Sequence, residues 1–374
     1  MKIAIVHDWL ITYAGAERVL EQTLNCFPDA DIFAVVEFLK EKDKHFIKNK
    51  QVKTSFVQKL PFSKKRYRTY LPLMPLAIEQ FDMNKYDLVI SSSHAVAKGI
   101  ITNPNQIHIC MCYTPIRYAW DLQHQYLQES KMNNGLKGFI AKLILHYVRN
   151  WDQMNSSRVD HFISISKFIS QRINKFYNRE SQVIYPPVDV NNFRLNLNQR
   201  EDYYVTCSRM VPYKKIDLIV ETFSSKFKEK KLVVIGDGPD RKKIQKNAGK
   251  NIEFLGEASH KVLYDKISNS RAFIFAAYED FGIAPIEAQS CGTPVIAYGN
   301  GGALETIMPI DSDKPSGVFF NEQTQESLAE AINIFEDNIH IFKPELCREN
   351  AERFSIERFN KELINFVNEK VNNA

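Results

Sequence analysis

Tyr278-Glu279-Asp280-Phe281-Gly282-Ile283-Ala284-Pro285-Ile286-Glu287-Ala288-Gln289-Ser290-Cys291-Gly292-Thr293-Pro294 follows the apolar run Ala272-Phe273-Ile274-Phe275-Ala276. That run has the length of a parallel strand buried on both faces. The longer stretch reads as a strand exit, an acidic loop and a helix. Gly282 gives the loop its freedom, and Pro285 suits a first helical turn. Gly292-Thr293-Pro294 ends the helix and hands over to the strand Val295–Tyr298. Glu279 sits in the loop and Glu287 in the helix, with seven residues between them. Two acceptors spaced in this way can grip two hydroxyl-bearing parts of one extended ligand, while backbone N–H groups at the helix start cover a phosphate.

The same strand-then-helix alternation runs outward in both directions. A chain of 374 residues divides naturally into two domains. With 44% apolar and 25% charged residues, its composition is that of a globular chain. The expected domains are residues 1–188 and 189–350, with a terminal helical segment at 351–374. Within that scheme, residues 191–202 read as a polar linker. The six cysteines include no Cys-x-x-Cys pair, and Cys110 and Cys112 read as core thiols of one strand, which fits a reducing location. Residues 1–6 read as a first strand rather than a leader. No apolar run approaches the ~18 residues of a membrane span.

Net charge is +5, but residues 40–70 alone carry eleven Lys or Arg against two acids. Phe46, Phe56, Phe62, Tyr67 and Tyr70 are interleaved with them. Basic and aromatic residues together suit a membrane surface or nucleic acid, or else a solvated face with core anchors. No RNA-binding signature accompanies the charge. The expected partner is therefore the inner face of a plasma membrane, with no nucleic acid. Residues 136–148 place Leu136, Phe139, Ile140, Leu143, Ile144, Tyr147 and Val148 on one helical face, which reads as core, with a membrane-facing or acceptor-facing helix as the alternative.

Polar groups at strand exits mark where open parallel sheets bind ligands. The first strand leads to Gly15 at a helix start, a place for a phosphate. Later strands deliver His94, then Tyr113 and Arg117, as sugar or acceptor contacts. In the second half, one strand exits into Arg209 and Lys214. Two permanent positive charges at a strand exit need partners, and a diphosphate supplies them. The next strand exits into Gly236-Asp237-Gly238-Pro239, which lacks the Gly-x-Gly-x-x-Gly spacing of a dinucleotide site. Asp29-x-Asp31 and Asp311-x-Asp313 lie outside the sheet context of a metal site, so no metal is expected.

The paired glutamates around Asp280-Phe281-Gly282, followed by Glu287-Ala288 and Cys291-Gly292-Thr293-Pro294-Val295-Ile296-Ala297, resemble the donor motif of family 4 glycosyltransferases. The resemblance implies a retaining enzyme of GT-B type: an α/β fold of two Rossmann-like parallel-sheet domains facing a cleft, with a C-terminal helix crossing back to the first. It gives Glu279 a role at the donor sugar and Glu287 one at the ribose. Arg209 and Lys214 match the basic pair that neutralises the leaving diphosphate. The loop at Gly15 resembles a Gly-Gly-x-Glu loop, with Ala14 in place of the first glycine. Gly236, Asp237, Leu255, Gly256, Phe281, Gly282 and Ile283 line the donor on this reading. Many members of the family have His-Thr-Pro where this chain has Tyr113-Thr114-Pro115. Tyrosine is a poor general base at neutral pH but still donates to a sugar hydroxyl.

The strings 71–79, 91–95 and 114–120 resemble mannosyltransferases of bacterial surface-polysaccharide assembly. They imply GDP-mannose as donor and a glycan or undecaprenyl-diphosphate-linked oligosaccharide as acceptor. The nucleotide sugar is a substrate, and no cofactor is expected. The alternatives are a UDP-sugar donor, or a sugar-nucleotide-binding protein without turnover.

Overall fold

The apolar runs of each half line up as parallel strands in the computed structural model, which describes residues 1–373. The first half forms β1 (Ile3–His7), β2 (Asp31–Ala34), β3 (Val52–Thr54), β4 (Leu88–Ser93), β5 (Ile107–Cys112), β6 (His161–Ser164) and β7 (Gln182–Val183). They stand in the order β3-β2-β1-β4-β5-β6-β7. The second half forms β8 (Tyr203–Cys207), β9 (Lys231–Ile235), β10 (Ile252–Gly256), β11 (Ala272–Phe275), β12 (Val295–Tyr298) and β13 (Gly317–Phe320), in the order β10-β9-β8-β11-β12-β13. Among the described residues every strand pairing is parallel. Each order reverses beside its first strand, between β1 and β4 and again between β8 and β11. The chain leaves such neighbours in opposite directions, which opens a crevice at their carboxyl ends.

Alternation along the strands supplies a core on each face of the second sheet. Tyr204, Leu232, Val234, Ile274 and Ile296 enter one buried cluster, and Val205, Val233, Phe273, Phe275 and Val295 enter the other. Both faces are covered by helices, so these strands read as continuous apolar runs rather than as alternating ones. The sequence pattern does not mark β3 or β13 as strands. β3 lies inside the basic stretch, where lysines hide its pattern.

The chain divides into two compact units. One is Met1–Pro187 together with the terminal segment from Phe359, and the other is Val188–Arg358. The helix Ile356–Asn372 thus begins in one unit and runs mostly in the other. Phe359, Leu363 and Val367 are fully buried, and Asn360 meets Cys26. The helix Lys167–Tyr177 is capped by Ser166, whose Oγ accepts from the Ile169 amide at 3.1 Å.

Two expectations fail. Residues 191–202 are no linker. Phe193 is buried, and the Arg200 guanidinium donates to the carbonyls of Ser268 and Ser270 and to Thr293 Oγ1. Those bonds fasten the polar stretch to the second unit. The helix Gly135–Ser156 does not bury the face formed by Leu136, Phe139, Ile140, Leu143 and Tyr147, all of which are exposed. Its rotation is set by its second half. There Asp152 is fully buried, pairs with Lys98 at 2.5 Å, and accepts from Trp120 Nε1 and the Tyr177 hydroxyl, each at 2.7 Å. Turning Leu143 inward would pull that carboxylate out of its partners, and an orphaned buried charge costs more than an exposed leucine.

Candidate active site

Three loops leave the carboxyl edge of the second sheet and interlock through backbone contacts. Ser208 N donates to Ile235 O at 3.0 Å, Met210 N to Asp237 O at 2.9 Å, and Gly236 N to Gly256 O at 2.7 Å. Gly236 holds φ at 120°, and a Cβ there would overlap the carbonyl oxygen of Ser208. Only glycine permits this approach. The result fixes the loop that carries Arg209, which is exposed two residues beyond β8.

Lys214 ends the 3-10 turn Pro212–Lys214, and its ammonium forms an ion pair with the Glu279 carboxylate beyond β11. The two side chains are each under one-fifth exposed. β8 and β11 are the neighbours at which the sheet order reverses, so the pair stands at the switch point. The Glu279 loop is braced from the other side by the loop after β12. Gly302 N donates to Glu279 O at 2.8 Å, and a Cβ at Gly302 would overlap the Phe281 backbone. This glycine loop therefore packs directly against the acidic loop.

The helix Ile283–Ser290 follows, capped by Gly282 at φ 88°. Glu287 is buried on it, and Phe281 is buried just before it. The helix is anchored at its far end. Gln289 Nε2 donates to Pro285 O and Thr306 O, and Asn350 Nδ2 donates to Gln289 Oε1 at 2.6 Å. Asp237 is exposed and engaged locally. Its carboxylate takes the Gly238 amide at 2.6 Å and Arg241 at 3.0 Å, and both hold it below the usual range, the amide most. Leu255 and Gly256 close β10, with Gly256 at φ 71°.

The switch point of the first sheet holds a second constellation. Asp8, just past β1, is fully buried. It accepts the amides of His94, Ala95, Val96 and Ala97 at 2.6–2.9 Å, and His94 Nδ1 lies 3.0 Å away. Burial alone would raise its pKa, but His94, His7 and the backbone donors outweigh burial and hold it low. Burial drives His94 the other way, below the ordinary imidazole value, against the pull of Asp8.

Beside it, His7 Nδ1 meets Ser92 Oγ at 2.9 Å, and Ser92 Oγ meets the Tyr113 hydroxyl at 2.8 Å. Tyr113 also donates to Ala16 O at 3.2 Å, and burial pushes its phenol far above the usual range. Tyr113 therefore ties the sheet edge to the helix Gly15–Cys26. Gly15 opens that helix, and Glu17 accepts the Ala14 amide at 3.0 Å. Arg117 begins a 3-10 turn after β5 and is half-buried. Sequence reasoning missed Asp8, His7, Glu17 and Ser92. The signal was available in a carboxylate directly after the first strand and a Ser-Ser-Ser-His string that ends the fourth.

Asp29 lines a cavity with Lys2, Cys26 and Tyr86 at the amino-terminal edge of the first sheet. Asp31 lies there too, paired with Lys53 at 2.8 Å. That edge is opposite the strand exits and carries none of the candidate residues.

Residues 188–354, most of the second unit, match the family model of glycosyl transferases group 1. A probable sucrose-phosphate synthase of Thermosipho melanesiensis is 29% identical over 44% of this chain and 40% of its own length. The alpha-1,3/1,6-mannosyltransferase ALG2 of Candida glabrata is 23% identical over 54% of this chain and 55% of its own. The matched stretches thus span about half the length of these relatives or less. The crystal structure of Anabaena Alr3699/HepE in complex with UDP matches with a TM-score of 0.69 and 16% identity, over 99% of this chain and 100% of that one. At that identity the likeness shows the fold: two parallel-sheet Rossmann-like units of the GT-B kind.

Proposed function

We propose that this chain is a retaining glycosyltransferase that moves a hexose from a nucleoside diphosphate to a glycan or lipid-linked glycan. The observation that carries it is the ion pair of Lys214 with Glu279 at the switch point of the second sheet, with Arg209 on the loop that enters the same turn. Departure of the nucleoside diphosphate is the difficult event, because charge builds on its leaving oxygen. Arg209, Lys214 and the first amides of the helix Ile283–Ser290 stabilise that charge, so the reaction proceeds without a divalent cation. Glu279 holds Lys214 in place and meets the sugar hydroxyls. Glu287 accepts from the ribose. No side chain stands out as a nucleophile, and the acceptor hydroxyl attacks on the face that the diphosphate leaves.

GDP-mannose is the donor we favour, and surface polysaccharide the product. Support comes from the mannosyltransferase among the relatives and from the strings at 71–79, 91–95 and 114–120. The UDP of the matched structure supports the second reading, a UDP-sugar donor. The test is turnover with a panel of GDP- and UDP-sugars, with EDTA present, followed by NMR of the product anomer. Turnover with a UDP-sugar alone would move the assignment to that donor. An inverted anomer, or turnover abolished by EDTA, would overturn the mechanism. Binding without any transfer or hydrolysis would leave a sugar-nucleotide-binding protein.

A further inference from the structure

The helix Gly135–Ser156 carries apolar residues on the side turned away from its unit. Leu136, Phe139, Ile140, Leu143 and Tyr147 are 75%, 59%, 47%, 53% and 47% exposed. At the helical period they form one stripe about 100° wide. The buried residues Leu145, Val148, Asp152 and Asn155 lie on the opposite side. Lys137 and Lys142 fall on either flank of the stripe, and both are exposed.

A second segment lies against this helix. Leu71 and Ile144 share a small apolar cluster with Ile116, Ala119 and Val148. Leu71 belongs to the turn Tyr67–Leu73, which continues the short basic helix Ser63–Arg66. Phe62 is 77% exposed there, and Leu73 and Leu76 are exposed beyond it. Lys59, Lys64, Lys65, Arg66 and Arg68 are all exposed around them.

Charge decides what covers such a face. No Asp or Glu occurs from Lys44 to Ile78, which holds nine Lys or Arg, nor from Ser130 to Trp151, which holds four. A protein partner would need a matching acidic, apolar surface. An anionic bilayer offers both at once: phosphates for the ammonium groups, and acyl chains for the rings and leucines between them. Among the described residues no helix is long and apolar enough to cross a membrane, which leaves a helix lying in the interface.

We propose that this stripe, with the basic segment around Phe62, docks the first unit on the surface of an anionic phospholipid bilayer. The stripe enters the headgroup region, and Lys137 and Lys142 reach the phosphates on either side. The proposal goes beyond the transferase reading, because vesicle binding needs neither donor nor acceptor.

The test is co-sedimentation of the full chain with vesicles of phosphatidylcholine alone and of phosphatidylcholine mixed with phosphatidylglycerol. The wild type is expected on the mixed vesicles only, with binding that weakens as salt rises. The variant Phe139→Ser/Leu143→Ser keeps its thermal transition, since both side chains are exposed, and loses at least roughly tenfold in partitioning. The variant Lys137→Glu/Lys142→Glu loses binding chiefly at low salt. Three results would overturn the proposal: a wild type that ignores phosphatidylglycerol, a Phe139→Ser/Leu143→Ser variant that binds as well as wild type, or a wild-type dimer in sedimentation velocity that this variant dissociates. The last would assign the stripe to a second copy of the chain.

Discussion

Asp8 lies 3.0 Å from Nδ1 of His94 while its carboxylate collects the four amides that begin at His94 itself. One buried charge thus sets both the ring and the backbone that carries it. An asparagine at position 8 keeps the shape but turns one acceptor into a donor facing N–H groups. Asp8→Asn is expected to destabilise the first unit by at least about 2 kcal/mol, read from urea unfolding. Amide exchange at 94–97 should quicken. An unchanged midpoint would show that the loop holds its form without the charge.

Lys214 and Glu279 act on the same ligand in the proposed mechanism and also on each other. Lys214→Ala should cost roughly 10²–10³ in kcat, as loss of a group that meets developing charge does. Glu279→Gln should lower kcat too. The double variant should fall well short of the product of the two effects, because paired residues are not additive. Effects that multiply cleanly would separate the two roles.

Glu287 sits on a helix held from behind by Gln289 and Asn350. Glu287→Ala should raise the donor KM more than it lowers kcat, the pattern of lost uniform binding. A fall in kcat at unchanged donor KM would remove it from the ribose.

Gly236 has no room for a side chain. Gly236→Ala must displace Ser208 and the Arg209 loop. The expected result is a loss of about 1–3 kcal/mol in stability of the second unit, together with weaker donor binding. Stability lost with donor affinity intact would show that Arg209 is positioned by something else.

His108 is fully buried, with Nε2 at 2.8 Å from Ser91 Oγ, and burial lowers its pKa from 6.5 to about 4. The unfolded chain therefore binds a proton that the folded chain refuses between those values. Stability should be full above pH 6.5 and should fall as the solution is acidified towards pH 4. The slope from this one group is at most about 1.4 kcal/mol per pH unit. Urea midpoints across that range measure it, and His108→Gln should flatten the curve.

The sequence announces the second unit more clearly than the first. The runs that become β8, β9, β11 and β12 are apolar but for Thr206 and the leading Lys231, because helices cover both their faces. Gly236, Gly282 and Gly302 mark the loops between them. The place of Arg209, Lys214 and Glu279 follows from strand exits alone, once the order of strands is supposed. What stayed hidden depends on the third dimension. Asp8 and His94 are far apart in the chain and meet only because β1 pairs with β4. The helix Gly135–Ser156 has apolar residues on two sides, so periodicity could not say which is inside. Asp152 decided it, through partners on three other segments. Residues 191–202 look like a tether because the bonds of Arg200, to backbone carbonyls and to the Thr293 hydroxyl, are to groups far along the chain, which no sequence pattern reveals.

The helix Ile356–Asn372 sends Phe359, Leu363 and Val367 into the unit that the first half of the chain builds. Translation proceeds in the other direction. When the segment ending at Pro187 leaves the ribosome, the side chains that finish its interior have not yet been made. The later-encoded sheet has its whole core in one uninterrupted segment and can close first. The earlier one must wait, incompletely packed, until synthesis reaches the last turns of the final helix.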